Sequence, residues 1–333
     1  LDSAEAVRNV YELAAGAMAE VAVAGAITVD RAGERLAPMA ELAGIGVRLF
    51  TDDGCGVQSA GLMRRALEYA RGLGVTLAQH CEEGTLAAGG AMHEGAWSSR
   101  LGIPGLPGAA EDVMVARDIA LARATGARLH LLHLSTSVSV GMVRQAKAER
   151  LPVTAEAAPH HFTLTDGCVA GYDATFKVNP PLRPGSDVEA VKVGLADGTL
   201  DAIATDHAPH APERKDLPFD QAPPGMLGLQ TALPLALSEL GLPIGSVLAL
   251  MSWQPASIAG LDPATGGAHG GPVEPGAVAN LCVLDPAASW TVDPGALASR
   301  SHNTPYAGRT LTGQVRHTLF DGEPVVVEAE AQR

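Results

Sequence analysis

Short apolar runs alternate with longer amphipathic ones along most of the chain. Residues 20–28 (EVAVAGAIT), 47–50 (VRLF), 75–80 (VTLAQH), 128–133 (RLHLLH), 152–157 (PVTAEA) and 201–206 (DAIATD) read as strands. Helical spacing predicts a helix over 2–18, with Val7, Val10, Leu13 and Ala14 on one face, and others over 36–42, 62–73, 110–125, 139–150 and 188–195. Further helices are expected over 231–240 and 244–251, with a short one at 255–259. Residues 84–107 are a long Gly-rich excursion, expected to lie as a loop over an opening. Residues 176–183 (FKVNPPLR) are extended and proline-stiffened, and 212–224 form a polar, Pro-rich loop. Strands alternating with helices build a parallel sheet from βα units. Six strands suit an open doubly wound sheet, or an eight-stranded barrel without its first two strands. No GxGxxG follows a first strand and no GxxxxGK[ST] occurs, so nucleotide-sheet readings lack their phosphate loop.

The texture changes near the end. Residues 264–276 are rich in Gly and Pro, and β-like runs follow at 279–284, 289–292, 315–320 and 324–327. The expected division is a partial barrel over 1–263 and a small β segment over 264–333. At 333 residues and 47% hydrophobic the chain can bury a large core, and its net charge of -14 argues against nucleic acid or an anionic membrane as partner. No run approaches the roughly 18 apolar residues of a membrane span. Four scattered cysteines without a CxxC suit a reducing cytoplasm, and Cys55 and Cys81 are expected to be small packing residues. The chain opens at Leu1 directly into a helical pattern and reads as part of a longer protein, without a visible signal peptide.

Four of the strands end in a residue able to bind metal: Asp53 (or Asp52), His80, His133 and Asp206. Carboxyl ends of parallel barrel strands converge on one face, where active sites form. Two imidazoles and two carboxylates meeting there would hold a divalent cation, zinc by default. A lone strand-end histidine is more often structural, but four such residues in one chain favour a site. Alternation along a strand puts His130 and His133 on opposite sides, with His133 the better ligand and His130 against the helices. Asp206 shares a side with Ala202 and Ala204, small residues that leave room, and only one of Asp52 and Asp53 can point at the site. His160 and His161 are read as structural, ending a strand; His93, His269, His302 and His317 as surface residues.

Ten stretches carry a resemblance: GAIT, LFTDDGCGVQ, LAQHCEE, LHLLHLST, VTAEAAPHHFTLTD, FKVNPPLR, AIATDHAPH, PPGMLGLQT, QPASIAGL and HNTPYAGRTLTGQV. Together and in this order they resemble a class I, bacterial-type dihydroorotase of the amidohydrolase superfamily. The resemblance implies an α/β fold, a (β/α)8 TIM-type barrel lacking its first strands here, with a small C-terminal β appendage. It implies two zinc ions per intact site. Asp53 would bridge them, where hydantoinases and allantoinases use a carboxylated lysine that has no counterpart at this strand end. His80 and His133 would bind one zinc. Asp206 would bind the other and act as the acid/base. Asn179, His210 and the backbone at Pro224 and Gly225 would bind substrate. The implied reaction is the reversible cyclisation of N-carbamoyl-L-aspartate to L-dihydroorotate in pyrimidine synthesis.

One departure is large. The family's first strand ends in His-x-His with a substrate-binding Arg soon after, and its second carries a substrate-binding Asn. This sequence contains no His-x-His. A chain without these ligands is expected to be impaired and to expose apolar edges. Three alternatives stand beside the main reading: another cyclic-amide hydrolase, a non-catalytic subunit that scaffolds aspartate transcarbamoylase, and a truncation product that does not fold stably. A homodimer is compatible with all that is read here.

Overall fold

The structure is a computed structural model, and it describes residues 1–332. Eleven strands are present among the described residues: β1 (Leu49–Thr51), β2 (Thr76–Gln79), β3 (Met92–His93), β4 (Gly105–Leu106), β5 (Leu129–Leu131), β6 (Val153–Ala157), β7 (Ala202–Ile203), β8 (Leu281–Thr291), β9 (Thr310–Phe320), β10 (Glu323–Val327) and β11 (Glu330–Ala331). β1, β2, β5, β6 and β7 make one all-parallel sheet in that order. The predicted first strand, 20–28, is reduced to a parallel bridge between Gly25 and Phe50 at the sheet edge. Its backbone is occupied otherwise: the Ile27 and Thr28 amides donate to the Asp52 carboxylate at 2.8 and 3.1 Å.

Parallel neighbours require a crossover, and each crossover carries a helix that covers the sheet's outer face. Leu77, Leu129, Leu131, Val153 and Ala155 point outward into one core with Met63 and Leu67 of helix Ala60–Leu73 and Met114 and Val115 of helix Ala109–Thr125. Ser59 caps the first of these helices by accepting from the Leu62 amide, and Gly74 stops it in a left-handed conformation. The alternate residues, His130, Thr154 and Glu156, line the other face. His130 lies 2.9 Å from both Thr154 Oγ1 and Glu156 Oε2. This corrects the expected direction of His130: the two large leucines beside it take the helix side and leave the imidazole to the inner face.

Four other expectations are revised. Helix Ala4–Ala14 stops short of residue 18 and leaves Leu13 78% exposed, so its buried face is Ala4 and Val7 alone. The excursion over 84–107 is not a simple loop. It holds two short helices and the β3–β4 pair, pinned from beneath by buried Arg183, which donates to His93 Nδ1 at 3.0 Å and to the Leu106 carbonyl at 3.2 Å. His93 is therefore half-buried rather than a surface residue. Residues 244–265 have the length and composition to cross a membrane. The backbone breaks at Ser252 and again at Gly260, leaving helices of eight and seven residues and a short 3-10 turn.

The C-terminal strands form an antiparallel sheet, β11-β10-β9-β8. The runs expected at 279–284 and 289–292 fuse into the single strand β8, whose register shifts between Asp285 and Ser289, where Pro286 cannot donate to the ladder. Leu311 of β9 and Trp290 of β8 pack with Met226 and Leu235.

Candidate metal centre and its surroundings

Asp53, His80 and His133 leave the ends of β1, β2 and β5 and meet. His80 Nδ1 lies 3.2 Å from His133 Nε2, and Asp53 Oδ1 lies 3.4 Å from His80 Nδ1 and 3.3 Å from His133 Nε2. Both imidazoles are buried, while the Asp53 side chain is half exposed. Ligands about 2.0–2.1 Å from a tetrahedral zinc stand roughly 3.4 Å from one another, so the triangle has the size such an ion requires. The donor set, two nitrogens and a carboxylate oxygen, also suits it. Two further ring nitrogens here, His80 Nε2 and His133 Nδ1, are buried without a hydrogen-bond partner.

Backbone geometry builds this meeting. Gly56, in the DDGCG turn after β1, sits at φ +60 where an added Cβ would lie 2.6 Å from the His80 carbonyl oxygen. Only glycine lets the turn approach the end of β2 that closely. His133 and Asp206 both take positive φ, 32° and 46°. Such backbone costs about 1–3 kcal/mol in a residue with a Cβ and concentrates at functional sites. Asp52 faces away and is wholly buried, its carboxylate taken up by Ile27 and Thr28.

Burial alone would raise the Asp53 carboxyl, but hydrogen bonds from His133 and His80 outweigh it and hold the group well below the usual carboxylate range. Burial likewise disfavours a charged His80, yet Asp53 and Glu82 bring it up to about 9. Asp206 stands beside the triangle rather than in it. Burial, with the charge of Asp53 adding to it and His133 and His80 opposing, pushes its carboxyl up to about 6.

The remaining expected residues occupy two surrounding groups. Asn179 Nδ2 donates to Glu82 Oε2 at 2.8 Å, and the same oxygen lies 3.7 Å from His80 Nε2. Glu82 is thus the carboxylate behind a candidate ligand histidine, a place where such a group orients the ring and raises its basicity. Glu82 stands two residues beyond His80 in LAQHCEE, and that spacing is the signal for it in the sequence. His210 and Pro224 touch each other, with Nε2–H of His210 donating to the Pro224 carbonyl at 2.8 Å. Gly225 does not present a free backbone in this structure. Its amide donates to Lys177 O at 2.8 Å, and its carbonyl accepts from Lys215 Nζ and Asn303 Nδ2. Asn303 also binds the Ala208 carbonyl and the His210 amide, so it ties both loops together. Sequence reading assigned it nothing, because its partners lie about 80–95 residues away.

A parallel α/β wall gathering imidazoles and a carboxylate at its carboxyl edge is the arrangement a metal-dependent enzyme of the barrel class would use. Solved structures agree on the architecture. The L-hydantoinase of Arthrobacter aurescens superposes with a TM-score of 0.85 at 23% identity, over 99% of this chain and 75% of that one. A D-hydantoinase from Thermus sp. gives 0.79 at 23%, over 99% and 75%. At these identities the likeness establishes the fold, a TIM barrel. The family follows from closer relatives. A family model described as dihydro-orotase-like matches residues 8–139. The dihydroorotase of Pelotomaculum thermopropionicum is 51% identical over 307 residues, 91% of this chain and 70% of its own length. That of Mycobacterium leprae is 47% identical over 312 residues, 92% and 71%. The chain belongs to the dihydroorotase family, whose members are metal-dependent cyclic amidohydrolases.

Proposed function

We propose that the chain's site serves the reversible cyclisation of N-carbamoyl-L-aspartate to L-dihydroorotate, with zinc held by Asp53, His80 and His133 and with turnover impaired by the absence of the family's His-x-His. The observation that carries this reading is the triangle of 3.2–3.4 Å between those ligand atoms, with a proton-accepting carboxylate beside it, in a chain of this family. A divalent cation there supplies Lewis acidity, acidifying water and polarising an amide carbonyl. Asp206 takes the proton of the attacking water and returns it to the leaving ring nitrogen. A carboxyl pushed up to about 6 is suited to both transfers near neutral pH. Asn179, anchored through Glu82, presents its amide to the substrate. His210 exchanges its bond to the Pro224 carbonyl for one to the ligand, and that exchange frees the Pro224 backbone for the ring. Asp53 and Asp206 would help to hold a second zinc, whose further ligands in the family, the His-x-His pair, are absent from this sequence.

The test combines zinc content by elemental analysis with turnover of dihydroorotate, hydantoin and allantoin. The expected result is bound zinc, turnover of dihydroorotate alone, and a D206N variant that keeps the zinc bound at the Asp53–His80–His133 triangle and loses about 100-fold or more in kcat. Zinc-free protein, or turnover of hydantoin in preference to dihydroorotate, refutes it.

A further inference from the structure

Two buried imidazoles remain outside the site as described. His160 and His161 lie in helix Pro159–Thr163, five residues that begin just past the end of β6. Each is 2% exposed, and their rings meet edge to face with centroids 4.3 Å apart. Burial is the chief cause that keeps His161 neutral, down to about 3, with the Pro180 carbonyl opposing. A neutral imidazole carries one N–H. In His161 its position is fixed: Nε2 lies 2.9 Å from the Pro180 carbonyl oxygen, which can only accept. Nδ1 of the same ring is bare and has no partner. Pro180 follows Asn179, so His161 fastens the segment that carries the amide.

His160 faces elsewhere. Its Nε2 is buried without a hydrogen-bond partner and looks at Asp206 Oδ2 across 3.8 Å. An unpartnered buried N–H costs about 1–3 kcal/mol. The gap exceeds a hydrogen bond by under an ångström, and a small rotation of either side chain closes it. The helix itself is held firmly. Pro159 occupies its first turn, where no amide hydrogen is needed. The Thr163 hydroxyl bonds the Pro159 carbonyl at 2.8 Å and lies 2.6 Å from the hydroxyl of buried Tyr306.

We propose that His160 and His161 are a pair of positioning residues: His160 donates Nε2–H to Asp206 Oδ2, and His161 fixes Asn179–Pro180, so that one anchored helix places both the acid/base and the substrate amide. With Oδ2 restrained, Oδ1 is the oxygen left free for the site. Positioning within about 0.5 Å is what separates a working constellation from one merely present. The catalytic part of this proposal rests on the reading of Asp206 as acid/base; the hydrogen bond does not.

The experiment is therefore read first without turnover. Long-range 1H–15N correlation spectra of the zinc-loaded protein, labelled at histidine, report which ring nitrogen is protonated, and H160Q identifies the signals. His160 should be the Nε2–H tautomer, and its Nε2 resonance should move in D206N while that of His161 stays. An Nδ1–H tautomer, or an Nε2 signal indifferent to D206N, overturns the proposal. Kinetics form the second arm. H160L should lose at least tenfold in kcat with KM nearly unchanged, and H160Q, whose amide stands in for the donor, should recover most of it. H161L should act on KM. Equal activity of H160L and H160Q overturns the positioning role. Should dihydroorotate not be turned over at all, the spectra still decide whether His160 holds Asp206.

Discussion

Replacing Glu82 by glutamine isolates one carboxylate charge from everything else near the metal centre. The variant keeps the side chain's length and an oxygen to accept from Asn179 Nδ2, now at 2.8 Å, and removes the anion 3.7 Å from His80 Nε2. Two full charges at that separation interact by about 4.5 kcal/mol at an effective dielectric of ~20. A ligand imidazole carries only part of its cation's charge, so the effect on metal affinity is smaller. Loss of such outer carboxylates weakens binding by roughly 10–100-fold, or about 1.4–2.7 kcal/mol. Zinc affinity measured by competition with a chromophoric chelator should fall within that range in E82Q. N179A, which leaves the charge in place, should change it by less than about threefold. The reasoning fails if E82Q binds zinc within twofold of the parent while H80A loses binding, since Glu82 would then be a bystander.

Zinc affinity should also depend on pH. His80 is brought up to about 9 by Asp53 and Glu82 and must lose its proton to bind, so affinity rises about tenfold per unit from pH 7 and levels near 9. Calorimetry in buffers of different ionisation enthalpy should count about one proton released at pH 7, and none released contradicts the assignment. G56A should cost about 1–3 kcal/mol in thermal or urea unfolding, from its positive φ and the 2.6 Å approach to the His80 carbonyl; an unchanged midpoint would show that the turn can relax. Burial pushes the Asp118 carboxyl up to about 6, against the pull of Arg117. Its folded value exceeds the unfolded one, so the parent loses on the order of 2–3 kcal/mol as pH rises from about 4 to 6 and then levels. D118N should lack that slope, and parallel urea-midpoint curves for the two proteins would rule the shift out.

The parallel sheet was legible because its strands are short apolar runs, with Leu77, Leu129, Leu131, Val153 and Ala155 on the helix-facing side, set between longer amphipathic helices. The β2 run is buried at every position, and the sequence around it, VTLAQH, carries no charged residue and only Thr76 as a polar residue before Gln79 and His80. The gathering of Asp53, His80 and His133 was legible from their place at strand ends. What could not be read were contacts set by distant chain. Residues 20–28 are apolar enough for a strand, yet the Ile27 and Thr28 amides serve Asp52 and only Gly25 pairs with the sheet edge. His93 looks like a loop residue until Arg183, 90 positions on, is found against it. Asn303 closes the His210 and Gly225 loops from the far end of the sequence.

The directions of side chains at the rim show why pattern alone stops short of chemistry. Alternation predicts correctly that Leu129 and Leu131 share a face, and by the same rule His133 should follow them into the helix layer. It does not, because β5 ends at Leu131 and the backbone of His133 turns to φ 32. Asp206 leaves β7 by the same kind of turn, at φ 46. A period-2 rule holds only while the ladder of hydrogen bonds continues, and the ladder ends where the strand meets the site. The local cost of those two backbones is sustained by the buried core beneath them and by neighbours that fix the rings and carboxylates once turned. The site is therefore made of the residues for which the regular pattern has just failed. The two imidazoles three and four residues past the end of β6 also lie where the ladder has stopped, and they face Asp206 and the Pro180 carbonyl rather than the core alone.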